Sequence, residues 1–354
     1  MTSSSILHWL GDERLLLSLM AGQPVWVLLL VALIAIAMLS RGADWMVDGV
    51  VDLARHTGMS EVVIGATVVS LGTTLPEAFV SVMAAYMGNP GLALGNGVGS
   101  IIADTGLIFG LTCILATVPA NRYILDRTGW VQVGSATLLV VISVILLALA
   151  PAGSEPVLGR RVGVLFLLLL LAYLYLTYRW SRRSGESSGN ADATDSRGIW
   201  LCWLMVIGGL LLIVTGARLL VPAASQIALR FGVPEDVVAA TLVAFGTSLP
   251  ELMTAITAIR KGHPEITVGN IVGADVLNTL FVIGAAAAAA PLAIPGNFFH
   301  FHFPAMLLIL YSFRLFIFVN REGRFHRWQG FWLLAVYVGY LLLQYALNIG
   351  SVTG

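Results

Sequence analysis

The chain has 354 residues, of which 58% are hydrophobic and only 11% charged, with no formal net charge and a mean hydropathy of +0.90. Soluble domains carry roughly 25% charged residues, so this composition excludes an ordinary water-soluble fold and describes a membrane protein. The balanced charge gives no hint of a nucleic-acid partner, whose binding needs a basic face, and none is expected.

Residues 1–23 carry Asp12 and Glu13 ahead of a short apolar run. They read as an interfacial helix and not as a cleavable signal. Apolar runs of about 20 residues suit spanning helices, and they fall near 24–54, 60–87, 91–118, 128–150 and 160–179. After a polar linker at 181–197, five more fall near 198–229, 235–259, 266–291, 303–319 and 329–349. The fold class is therefore an all-α polytopic membrane protein of ten spans, in two five-helix repeats at 24–180 and 198–354. An odd number of spans per repeat makes the second copy enter the bilayer from the opposite side, so the repeats are inverted. With the N-terminus outside, twelve basic residues fall on the cytoplasmic side, among them Arg55, Arg127, Arg182, Arg260 and Arg327, against four outside. That bias puts both termini outside the cytoplasm. The linker has no room for a regulatory domain, and Cys113 and Cys202, both in apolar runs, read as small buried hydrophobes.

The repeat is explicit at residue level. Gly72-Thr73-Thr74-Leu75-Pro76-Glu77 returns as Gly246-Thr247-Ser248-Leu249-Pro250-Glu251, and the same shift of 174 positions carries Gly95-Asn96 onto Gly269-Asn270. Pro76 has no N–H for the carbonyl of Gly72 and its ring crowds that oxygen, so a helix opened at midplane is expected there. In hydrocarbon the freed carbonyl needs a partner, and a cation would serve. Glu77, Asp104, Glu251 and Asp275 all lie inside predicted spans. At about 2.5–3.5 kcal/mol each, four unpaired acids would cost on the order of 10 kcal/mol. The basic residues within spans are few, and Arg41 has Asp44 three positions on, where an ion pair is expected.

Asn96, Ser100 and Asp104 recur every four residues as a polar stripe, with Gly95 and Gly99 expected to admit a neighbouring backbone. The second copy offers Asn270, Ala274 and Asn278, with Asp275 displaced by about 100° around the helix. Carboxylate, amide and hydroxyl oxygens suit hard cations. GNGVGS is no phosphate loop, since no strand precedes it and no lysine follows. His56, His263 and His326 fall in loops, and His300 and His302 at a helix entrance. No nucleophile and base pair emerges, so an enzyme is not expected.

The paired GTTLPE and GTSLPE, followed by GNGVGSIIAD and GNIVGADVLN, resemble the two alpha-repeats of the cation/calcium exchanger superfamily, nearest the prokaryotic sodium/calcium exchangers. The resemblance covers both halves. It implies alternating-access exchange of Na⁺ for Ca²⁺ across a prokaryotic plasma membrane, with both ions as transported substrates and no resident cofactor. It also implies that Glu77 and Glu251 are the central Ca²⁺ ligands, joined by the Thr73 and Thr247 carbonyls, with Thr74, Ser248 and Ser100 at flanking Na⁺ positions and Asp104 and Asn278 completing the site. Here the acid and amide are exchanged between repeats relative to the family pattern, Ala274 lacks a hydroxyl, and Asp275 replaces the usual Asn. Coupling to H⁺ or another cation and a cation channel are the alternatives; clustered acids suit proton coupling, and acidic rings suit a channel.

Overall fold

Where no water reaches the backbone, every peptide group must bond within its own segment, and the computed structural model is accordingly almost entirely helical. It describes residues 19–57, 59–119, 122–151, 153–184, 198–231, 248–320 and 323–346. The first half holds α1 (Val25–Thr57), α2 (Glu61–Tyr86), α3 (Pro90–Leu115), α4 (Arg122–Leu149) and α5 (Arg160–Ser184). The second holds α6 (Ile199–Arg230), α7 (Leu249–Arg260), α8 (Pro264–Ala289), α9 (Phe298–Val319) and α10 (Arg327–Ala346). Among the described residues, 8 helices are long and apolar enough to cross a membrane; α7 and α10 are not among them. Two short strands, β1 (Val157–Leu158) and β2 (Leu292–Ala293), pair antiparallel and join the approach to α5 to the exit of α8.

Several boundaries move from their expected places. The α4 helix is already formed at Arg122, ahead of the expected 128. The α5 helix continues to Ser184, into the expected linker, and His56 lies in the last turn of α1 and not in a loop. The expected interfacial helix lies largely, and the start of the seventh span wholly, outside the described residues. So do linker residues 185–197 and the end of the last span.

Burial separates centre from periphery. In its most apolar stretch α8 is 83% buried against 22% for α1. Leu30 and Leu33 on α1 and Leu204 and Leu211 on α6 are exposed, as expected of side chains that face lipid. The α1 and α6 helices pack on each other along much of their length, and small residues set how closely. A Cβ on Gly42 would lie 2.6 Å from the carbonyl oxygen of Gly209, and one on Gly216 would lie 2.9 Å from that of Ala35. Further along, a Cβ on Gly49 would stand 2.8 Å from the oxygen of Cys202. Each step of seven residues up α1 is thus matched by seven down α6, so the pair is antiparallel and related by exchange of equivalent positions. Ile64 and Val69 of α2, Leu249 and Ala258 of α7 and Ile266 of α8 pack into the same apolar cluster as α1 and α6, and most of the remaining apolar core is built on α2, α3, α4, α5, α8 and α9.

Arg41 and Asp44 do not form the expected ion pair. Arg41 lies over the ring of Trp45, 5.5 Å from its centroid. Asp44 and Asp48 instead receive Lys261, beyond the end of α7, whose Nζ lies 3.6 Å from an Asp44 carboxylate oxygen and 2.7 Å from one of Asp48. A cation from another helix satisfies two aspartates at once, which Arg41 on the same helix would not.

Candidate ion-binding site

Pro76 does not break its helix. An unbroken α-helix runs from Ser70 to Tyr86 with Pro76 inside it, and the loosened turn falls upstream, as π geometry at Gly65–Val69. The carbonyl that Pro76 leaves without its usual donor is that of Gly72, which lies within the α-helical run and not in the π turn. In the second copy Ser248 immediately precedes α7, whose first turn contains Pro250. A proline there is tolerated, because the first N–H groups of a helix have no partner within it. Thr247 lies outside the described residues.

The α3 and α8 helices repeat one design. Each starts at a proline, Pro90 or Pro264, at its first position. Asn89 caps α3 by accepting from the Leu92 N–H at 3.2 Å. Each helix then widens into a π turn, at Asp104–Phe109 and Asn278–Ile283, before tightening again. Such bulges recur at functional sites. The α8 helix approaches α2 at its glycines: a Cβ on Gly269 would lie 2.1 Å from the Val62 carbonyl oxygen, and one on Gly273 would lie 2.6 Å from the Ala66 Cα. For the expected approach at Gly95 and Gly99, the described residues supply only the Phe298 ring, 3.8 Å from a Cβ on Gly95. Residues 232–247, which include the counterparts of Val62 and Ala66, are outside the description.

These constraints bring most of the expected residues together. Glu77, Asp104, Glu251 and Asn278 are at most 2% exposed, and the first three carboxyls are near enough to act on one another's charge. Asn278 donates to Asp104 at 3.3 Å, a contact between residues 174 positions apart. Equivalent positions of the two repeats therefore touch. The Ser248 hydroxyl stands beside Asp104, and Thr73 beside Glu251. Thr73 Oγ1 also lies 3.5 Å from Asn270 Oδ1. Among the described residues, Glu77 Oε2, Glu251 Oε2, Asp104 Oδ1, Asn278 Oδ1, Thr74 Oγ1 and Ser100 Oγ are buried without a hydrogen-bond partner. Unpaired buried oxygens are rare in proteins and require an explanation. Among the described residues, no basic side chain contributes to the environment of Glu77, Asp104 or Glu251.

Two expected ligands are otherwise engaged. Asn96 donates to the Glu77 carbonyl at 3.1 Å and to Ser81 Oγ at 2.9 Å, so its amide nitrogen braces α3 against α2. Asp275 is hydrogen-bonded by Thr105 on α3 and Gln132 on α4, while remaining near enough to Asp104 for the two charges to act on one another. Sequence reasoning passed over Gln132 and Thr105, because neither belongs to the repeated stripe. A lone glutamine in an apolar span was the available signal. No three acidic, histidine or cysteine side chains among the described residues make a metal centre alone. An ion held by this cluster would draw on amide, hydroxyl and main-chain oxygens as well.

Comparison with known proteins follows the same residues. The family model described as sodium/calcium exchanger protein matches residues 27–179 and 201–346. An uncharacterized membrane protein of Methanocaldococcus jannaschii is 34% identical over 86% of this chain and 94% of its own length. The sodium/calcium exchanger MaX1 of Methanosarcina acetivorans is 29% identical over 89% of this chain and 98% of its own. A solved structure of the sodium-calcium exchanger NCX_Mj, soaked with zero Na⁺ and Ca²⁺, superposes with a TM-score of 0.76 at 29% identity, covering 90% of this chain and 99% of that one. The match spans both copies of the motif that supply the buried acids, and on that ground the chain belongs to the sodium/calcium exchanger protein family.

Proposed function

We propose that this protein is a secondary antiporter that exchanges Na⁺ for Ca²⁺ at the Glu77, Glu251 and Asp104 cluster by alternating access. The observation that carries the proposal is the convergence of three buried carboxyls with unpartnered oxygens and, among the described residues, no basic neighbour. One Ca²⁺ neutralises the two central glutamates together, whereas Na⁺ does so only when several positions fill at once. An empty site leaves like charges facing each other in low dielectric, which opposes movement. Exchange then prevails over leakage.

In this reading the chain has ten spans in two inverted halves, with both termini outside the cytoplasm. The antiparallel, position-exchanging contact of α1 with α6 supports the inversion. So do the 104 to 278 contact and the matched π turns. The α1 and α6 pair is the moving element, sliding against the bundle, and the close contact of the two helices along their length supports their moving as one unit. Thr73, Thr74, Ser100, Ser248 and Asn278 complete the ion positions, and Thr247 contributes its carbonyl.

The test is ⁴⁵Ca²⁺ uptake into proteoliposomes under imposed Na⁺, K⁺ or H⁺ gradients. Uptake driven by an outward Na⁺ gradient is expected. Uptake driven only by a proton gradient overturns the choice of coupling ion, and flux that persists without any counter-ion overturns the antiporter.

A further inference from the structure

Asp275 has polar partners that the exchange site does not share, although it lies within reach of the Asp104 charge. Its Oδ2 accepts hydrogen bonds from Thr105 and from Gln132 Nε2, the latter at 2.6 Å, so α3, α4 and α8 each contribute one polar group. All three side chains are at most 1% exposed. Gln132 Nε2 also lies 3.5 Å from the Thr105 hydroxyl. The outer atoms of the cluster are unused: Asp275 Oδ1 and Gln132 Oε1 are buried with no hydrogen-bond partner among the described residues. Thr279, next along α8, is committed to the Asp275 carbonyl oxygen at 3.2 Å.

Hydrogen bonds from a neutral amide and a neutral hydroxyl orient a carboxylate but do not cancel its charge. A buried carboxylate without a counter-charge is strongly unfavourable. The pocket is also unique to one repeat, since the position equivalent to Asp275 is Ile101, a fully buried hydrophobe. It therefore adjoins the two-fold set around Glu77 and Glu251 at Asp104 without being one of its paired positions. The donors left over are hard oxygens, which select alkali or alkaline-earth ions over soft metals. A single carboxylate matches one positive charge, and a divalent ion would be left under-neutralised.

We propose that Asp275, Gln132 and Thr105 form a second, monovalent-cation site, suited to Na⁺, beside the exchange site. The proposal takes Na⁺ as its ion from the functional reading above, but its test needs no transport.

The full chain is reconstituted in nanodiscs as Glu77→Gln/Glu251→Gln, which disables the central glutamates, and its unfolding temperature is followed against NaCl with choline chloride holding ionic strength constant. An ion that binds only the folded state raises that temperature saturably. The expected result is a saturable Na⁺-specific rise that disappears when Asp275→Asn is added. With Gln132→Leu, its midpoint should move to about tenfold higher Na⁺ or beyond. A flat Na⁺ response, a rise unchanged by Asp275→Asn, or stabilisation by acid alone overturns the proposal, the last by making the occupant a proton. If the double variant does not fold, ²²Na⁺ binding to the unmodified protein and to Asp275→Asn decides. One Na⁺ fewer per chain supports the site, and equal binding overturns it. Failure of Na⁺-driven flux with this binding intact would instead strike the functional reading.

Discussion

The α3 and α8 helices share a starting proline, a spacing of polar residues and a π turn, yet they carry their acids differently. On α3 the acid is Asp104, at the first residue of the π turn; on α8 that place belongs to Asn278, and the acid stands three residues earlier, at Asp275. The backbone symmetry brings positions 104 and 278 into contact, so an acid exchanged between them stays within the same cluster. A displacement of three residues has a larger consequence. It turns the side chain about 60° from its old direction around the helix, toward Thr105 and Gln132 at the edge of that cluster. Moving an acid across the pseudo-axis preserves its field, whereas moving it along one helix gives it different partners.

The largest effect should come from the positions the two repeats share. Replacing Glu77 or Glu251 with Gln removes one of two facing charges without removing bulk. At roughly 3 kcal/mol, the loss is about a hundredfold in Ca²⁺ affinity or more. Exchange measured by ⁴⁵Ca²⁺ flux should vanish while expression and insertion persist. Near-normal flux in either variant would show that the glutamates are not the central ligands.

A smaller effect tests the exchange of acid and amide directly. Asp104→Asn should weaken cation binding by roughly 1.5–3 kcal/mol, and Asn278→Asp alone should tighten it and slow release. The double change restores the total charge across the contact and should recover a substantial part of the flux. If it transports no better than Asp104→Asn, the equivalence of the two positions fails.

The glycine approach of α8 to α2 gives a structural version of the test. Gly269→Ala places a methyl against the Val62 carbonyl, and overpacking of this kind costs about 1–3 kcal/mol. Thermal unfolding in detergent should register the loss. An unchanged unfolding temperature would mean that α2 and α8 stand further apart than described.

The smallest effect lies outside the membrane spans, where His263 precedes α8 and its Nδ1 lies 2.9 Å from both carboxylate oxygens of Glu61. That hydrogen bond raises the histidine pKa above its usual 6.5, against the opposing effect of partial burial. A raised value in the folded state stabilises fully below the unfolded pKa and is lost as pH climbs through the folded one. Stability should therefore fall by less than about 1 kcal/mol as pH rises from below 6.5. The fall should be absent in Glu61→Gln, and an identical pH profile in that variant would remove Glu61 as the cause.

Hydropathy and the 174-residue shift determined the membrane setting, the repeat and the acids that matter, because span length and helical spacing are local properties of a chain. Glu77, Glu251, Asp104 and Asn278 were legible for that reason: each is an uncommon residue at a repeated place in an apolar run. Only the tertiary structure decided that Lys261 and not Arg41 engages Asp44, that the helix passes Pro76 intact, and that Asp275 turns to Gln132. These are choices among partners on different helices. They depend on how closely the helices approach and which faces meet, and no spacing within one helix encodes that.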